Sequence, residues 1–129
     1  MHNVQGLLES FFESKVTQFE CDLFKNRVSI QCQTTEYSEH QIALSDVSCL
    51  YFINNDTDHR LNILEFDDDD YVELTSIYIL DDSVRFHLLS EETWVNSYRG
   101  YGNILIELWS KILIIESKTI TIDGIDYRI

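Results

Sequence analysis

Residues 3–24 read NVQGLLESFFESKVTQFECDLF, and within this stretch the spacing of the apolar residues changes. Over residues 3–15, Val4, Leu7, Leu8, Phe11 and Phe12 fall on the i, i+3, i+4, i+7, i+8 stripe of an amphipathic helix. Asn3 stands where a side chain can accept from the first free N–H groups of that helix. Gly6 weakens its first turn by roughly 1 kcal/mol relative to Ala. From Gln18 the period becomes two, which is strand geometry: Phe19, Cys21 and Leu23 share one face, as do Val28, Ile30 and Cys32. Lys25-Asn26 between them suits a tight hairpin, because Asn tolerates positive φ. Such a hairpin sets Cys21 opposite Ile30 and Cys32 opposite Phe19.

Beyond this point the sequence reads as strands. In IALSDVSCLYFIN (residues 42–54) the continuous apolar run VSCLYFI predicts a central strand covered on both faces. NNDTDHR is a loop by composition. LNILEF and YVELTSIYIL predict strands on either side of Asp67–Asp70, and VRFHLLS a further strand after a turn at Asp81-Asp82. In SEETWVNSYRGYGN, Ser90 caps a short helix through Asn96, and Arg99–Gly102 form a loop. ILIELWSKILIIESKTITIDGIDYRI predicts three or four short strands in a meander, with Asp123-Gly124 as the clearest hairpin turn. No βαβ alternation is present, so the sheet is expected to be antiparallel. The expected fold is a single domain, residues 1–129, of α+β class. It is mainly an antiparallel β-sheet of roughly seven to nine strands, open or partly closed, with the N-terminal amphipathic helix on one face.

Composition narrows the function. Hydrophobic residues make up 44% of the 129, enough for a core of this size. The net charge is −14. That opposes binding to nucleic acid or to an anionic membrane and favours a basic protein partner. The charge is concentrated: residues 65–92 hold ten acids and a single base, Arg85, for a net −9. Cys21, Cys32 and Cys49 cannot all pair and match no zinc spacing, so they read as small core residues of a reduced protein. No signal peptide is apparent and no apolar run is long enough for a membrane helix, so the expected compartment is the cytoplasm. The chain has no proline, which removes one means of protecting edge strands and leaves homo-oligomer formation open.

No catalytic motif emerges. Asp67, Asp68, Asp69 and Asp70 do not make a calcium loop: Tyr71 occupies the next alternate position and no glycine follows. Neighbouring carboxylates repel, so the run is expected in a solvated turn. With Glu65, Glu73, Asp81, Asp82, Glu91 and Glu92 it offers an electronegative surface near turns at one end of the sheet. Tyr98, Arg99 and Tyr101 are the residue types of binding hot spots, whereas Trp94 reads as an anchor of the short helix on the core. His2, His40, His59 and His87 form no close ligand pair. GYG lacks the third glycine and following helix of a dinucleotide fingerprint, and no GxSxG elbow is present. The expectation is a binding protein rather than an enzyme, with no metal and no cofactor.

The strand pattern LSDVSCLYFINND, YVELTSIYIL and ILIELWSKILIIESKTITID resembles the YxiG-like group of small Firmicute proteins, over residues 42–129. The resemblance implies association with secreted polymorphic toxins and hence an immunity protein that neutralises a toxin domain. It assigns no functional residue. The charge argument points independently to a basic partner. Two other roles remain open from the residues: a self-associating structural module, and a small-ligand binder using Trp94, Tyr98 and Tyr101.

Overall fold

The computed structural model describes residues 3–56, 58–63, 67 and 69–129. The helical stripe is used only in part. Helix α1 is Val4–Glu9, capped by the Asn3 side chain, which accepts from Gly6 N at 2.8 Å. Glu13 takes φ 69° and ends the helical run, and strand β1 begins at Ser14. Leu8 and Phe11 nevertheless reach the core as the stripe requires. Gln5 fixes the helix to the sheet: its Nε2 donates to Ile77 O at 3.0 Å and its Oε1 accepts from Ile79 N at 2.7 Å.

Among the described residues there are nine strands: β1 (Ser14–Asp22), β2 (Arg27–Gln33), β3 (Glu39–Ser45), β4 (Cys49–Asn54), β5 (Glu73–His87), β6 (Arg99–Leu108), β7 (Lys111–Glu116), β8 (Thr119–Ile122) and β9 (Ile125–Arg128). All pairings are antiparallel, in the order β4-β7-β6-β5-β1-β2-β3-β8-β9. With one six-residue helix against nine strands, the fold is closer to all-β than to the expected α+β. Three residues separate β3 from β4 and two separate β7 from β8. Pairs Ser45↔Thr119 and Cys49↔Glu116 therefore belong to one long kinked ribbon, braced by Ser48 N on Glu116 O and Lys118 N on Ser45 O. Through this ribbon the two ends of the strand order are joined, and the sheet curls on itself. Among the described residues no helix is long and apolar enough to cross a membrane.

The interior is filled by alternating residues, as period two demands. Val28, Ile30 and Cys32 of β2 meet Ile42 and Leu44 of β3, Ile77 of β5, Ile104 and Ile106 of β6, Ile115 of β7 and Ile120 of β8. Each fully buried Ile or Leu contributes roughly 1.5–3 kcal/mol.

Several expectations are corrected in detail. The β1–β2 turn spans Leu23–Asn26 because the Asp22 carboxylate accepts from Phe24 N and Lys25 N, an Asx turn. Asn26 takes the expected positive φ, 53°. The longer turn shifts the register, so Cys21 lies opposite Val28 and Phe19 opposite Ile30. A bulge between Val16 and Gln18 then puts Cys32 opposite Val16. Only Cys32 is buried, while Cys21 is exposed. β4 is not a central strand: among the described residues it pairs with β7 alone, and Phe52 and Ile53 are exposed. Asp81-Asp82 do not end a strand. They lie in an irregular stretch of one long strand, β5, because pairing with β6 resumes at Val84↔Gly102. Arg99–Gly102 are the start of β6 rather than a loop. Asp123-Gly124 make the expected β8–β9 turn, with φ 49° and 83°. Of LNILEF, Leu61–Ile63 are exposed coil rather than strand, and the remainder lies outside the described residues.

Candidate functional site

Within the aspartate run, Asp67 and Asp70 close a turn of their own making. Asp70 N donates to Asp67 O at 2.9 Å, and the Asp70 carboxylate accepts from Asp67 N at 2.8 Å. Asp68, Glu65 and His2 lie outside the described residues. The turn delivers the chain into β5 so that Asp69, Asp70, Tyr71 and Glu73 border one open cleft with Trp109. Trp109 and Tyr71 are about half exposed, and Lys15 Nζ lies 5.8 Å above the Tyr71 ring. A cleft of carboxylates beside aromatic faces suits a Lys or Arg side chain, which meets opposite charge and a ring together.

Trp109 is the residue that sequence reading missed. It occupies the first position of the two-residue turn between β6 and β7, at φ 59°. Turns with one positive φ there normally carry glycine. Its backbone N–H donates to Glu73 O at 3.0 Å and Thr75 Oγ1 at 3.1 Å, which ties the turn to the start of β5. The available signal was a Trp-Ser pair breaking two apolar runs, but it lacks the Gly, Asn or Asp that marks a turn.

The other sequence candidates lie elsewhere. Asp81 and Asp82 are exposed in the middle of β5, eight and nine residues beyond Glu73. Tyr98, Arg99 and Tyr101 sit at its far end, where His87 pairs with Arg99 and Arg85 with Tyr101. The partners of the two ends of β5, Leu108 and Arg99, are nine residues apart on β6, so at roughly 3.3 Å per residue those ends lie about 30 Å apart, and the acidic cleft and these aromatics form no single surface. Arg99 Nη1 donates to the Asn96 and Ser97 carbonyls, both at 3.2 Å, which closes the 3-10 turn Val95–Ser97. His87 Nε2 lies 2.9 Å from Asn96 O on the same turn. The expected helix from Ser90 shrinks to this turn, because the Asn96 side chain bonds both Ser90 N and Ser90 O. Trp94 is no core anchor: it is 64% exposed and meets Tyr98 edge-on at 6.2 Å.

One polar constellation was not legible at all. Cys32 and His40 are register partners, and His40 Nδ1 lies 2.7 Å from Asp123 Oδ2. Cys, His and Asp in sequence would suggest a nucleophile, a base and an orienting acid. The thiol is not activated, however. Burial pushes Cys32 up to about 11, so at neutral pH it is protonated. The His40 ring packs against Phe11 at 4.6 Å. Asp123 is held below the usual carboxylate range: burial pushes it up, but hydrogen bonds from His40 and Gln41 N outweigh that. The group clamps the β8–β9 turn to β3 and to the residues after α1. Asp56 is likewise lowered, chiefly by its hydrogen bond with His59. Among the described residues, no three His, Cys, Asp or Glu side chains gather as a metal site.

The pattern of the YxiG-like protein family matches residues 4–127. The chain belongs to the YxiG-like protein family. The match extends further than the strand resemblance over 42–129: it takes in α1 and the β1–β2 hairpin, so helix and sheet are one family unit in the YxiG-like chain. No curated protein matches it.

Proposed function

We propose that this YxiG-like protein is a non-enzymatic, acidic binding protein of the cytoplasm, an immunity protein that neutralises a basic toxin domain by occlusion and charge complementarity. The observation that carries this reading is the cleft in which Asp69, Asp70 and Glu73 border Tyr71 and Trp109. It combines the two features that make a partner's Lys or Arg side chain bind: negative potential and exposed aromatic area. The net charge of −14 sets up a negative field that raises association rates with a basic partner. The free cysteines fit a reducing compartment.

Co-expression with basic toxin domains from the source genome tests the reading. Survival of the host with the wild-type protein, and its loss with Asp69→Asn/Asp70→Asn/Glu73→Gln, is the expected result. Binding of the rescued domain should weaken as salt rises from 50 to 500 mM, through slower association. Rescue that neither salt nor the triple variant changes would refute the charge mechanism.

Self-association is favoured by one observation, the proline-free edge strand β4 with exposed Phe52 and Ile53. Sedimentation at several concentrations separates it, since a self-associating chain gives a mass that grows with concentration.

A further inference from the structure

β1 and β4 each leave one edge without a ladder partner among the described residues. β1 pairs with β5 at Ser14 and Lys15 only, and Val16 N on Val72 O is the last bond between them. From Thr17 to Asp22 the side of β1 away from β2 is unpaired. β4 pairs with β7 on one side and with no strand on the other. The two edges come near one another. Val16, Phe19, Phe52 and Leu113 line one apolar cavity of about 340 Å3, and Cys21 and Leu23 line another with Cys49 and Leu50. The bulge at Thr17 turns β1 along this seam. Phe19 and Phe52, on the two lips, are 39% and 55% exposed. Such a seam holds the two things strand addition requires: free backbone N–H and C=O groups, and pockets for alternate side chains.

Charge decides the occupant. Two copies would each carry a net charge of −14, and that like charge opposes their association. Val72 and Leu108, which line the cavity, are chain neighbours of Tyr71, Glu73 and Trp109, which line the acidic cleft. We propose that the β1–β4 seam accepts an extended segment of a basic partner, its alternate apolar side chains entering the cavity and a flanking Lys or Arg reaching Asp69, Asp70 and Glu73. This rests on the binding-protein reading above and adds the way the partner is held. Free edges of six residues on each strand fit an occupant about 20 Å long.

The probe is a fluorophore-labelled peptide in which three valines alternate with threonines between terminal lysines. Saturable binding is expected, with slowed hydrogen exchange at the Thr17–Asp22 and Cys49–Asn54 amides. N-methylation of alternate backbone nitrogens, or glutamate in place of lysine, should weaken binding about tenfold or more. Phe52→Asp should abolish it, and Phe19→Ser, a milder change, should weaken it while leaving the exchange of β2 and β6 amides unaltered. No binding, binding indifferent to N-methylation, or protection elsewhere on the sheet would overturn the proposal. If Phe52→Asp still rescues cells from the toxin domain as well as wild type, the seam is wrong and the acidic binding protein stands. If the peptide docks in the seam but no toxin domain is neutralised, the immunity reading fails and the seam stands.

Discussion

Gly102 offers a sharp test of how β6 is packed. A Cβ at this position would lie 2.2 Å from Ile114 Cγ2 and 3.6 Å from Ile115 N. Ile114 cannot yield cheaply: Cγ2 sits directly on its Cβ, the side chain is 8% exposed, and β-branched residues are stiff at χ1. Gly102→Ala should therefore cost about 1–3 kcal/mol through overpacking, offset by roughly 0.4–1 kcal/mol from the lower entropy of the unfolded chain. The net expectation is a loss of about 1–2 kcal/mol, read in urea as a midpoint lower by roughly 0.5–1.5 M at unchanged slope. Ile114→Leu removes the offending Cγ2 at nearly constant volume and alone should cost less than about 1.5 kcal/mol. Combined with Gly102→Ala it should recover stability, with a coupling energy of about 0.5–3 kcal/mol. A neutral Gly102→Ala, or additive losses in the double variant, would refute the packing.

The thiols should differ sharply: with Ellman's reagent at pH 7, Cys21 reacts in the native protein and Cys32 only on unfolding. Asp123→Asn should reshape the acid limb of stability. The native carboxyl is lowered, so its stabilisation is complete above the unfolded value near 3.9 and is lost as pH falls through the lower native value. The gap in urea midpoint between wild type and variant should accordingly shrink from pH 5 to pH 2, and a constant gap would count against the His40 contact. Trp109→Gly relieves a strained φ worth about 1–2 kcal/mol, but adds roughly 0.5–1 kcal/mol of unfolded-chain entropy and gives up the buried half of the indole, roughly 1–3 kcal/mol. Its midpoint should fall slightly while affinity for the neutralised toxin domain falls about tenfold or more.

What sequence made legible was the local period, and what it hid was how pieces meet. The stripe of Val4, Leu8 and Phe11 announced a helix on the core, but not that Ser14 would leave it to pair with Leu74. A hairpin between Phe19 and Ile30 was legible, whereas its register turned on one side chain, Asp22, competing for backbone N–H groups. VSCLYFI misled because an apolar run reads as burial on both faces. In the fold one part of that run stacks outside, Tyr51 on Phe86 at 3.8 Å, and Phe52 lines the open seam. Asp81-Asp82 read as a turn because local composition cannot see that β6 continues past them. The seam itself belongs to two strands thirty residues apart, and no window of sequence contains it.

The aspartate run connects these findings, because it explains why the seam is open. Extending the β5 register backwards from Lys15↔Glu73 would set Thr17 opposite Tyr71 and Gln18 opposite Asp70. The ladder stops short: Asp is a poor strand residue, adjacent carboxylates repel, and the Asp70 side chain holds Asp67 N in a turn. Asp69→Thr/Asp70→Val should remove both the repulsion and the turn's acceptor and let β5 grow along β1. Two new backbone bonds at about 0.5–1.5 kcal/mol each would raise the protection of the Thr17–Phe19 amides by about tenfold. The same variant should bind the lysine-flanked peptide less well, since its seam is part closed and two of the cleft's carboxylates are gone. To separate those effects, Asp69→Asn/Asp70→Asn removes charge while keeping a turn-forming side chain, and should weaken the peptide without protecting β1. If both variants leave β1 exchange unchanged, the aspartates do not set the length of β5, and the opening of the seam needs another cause.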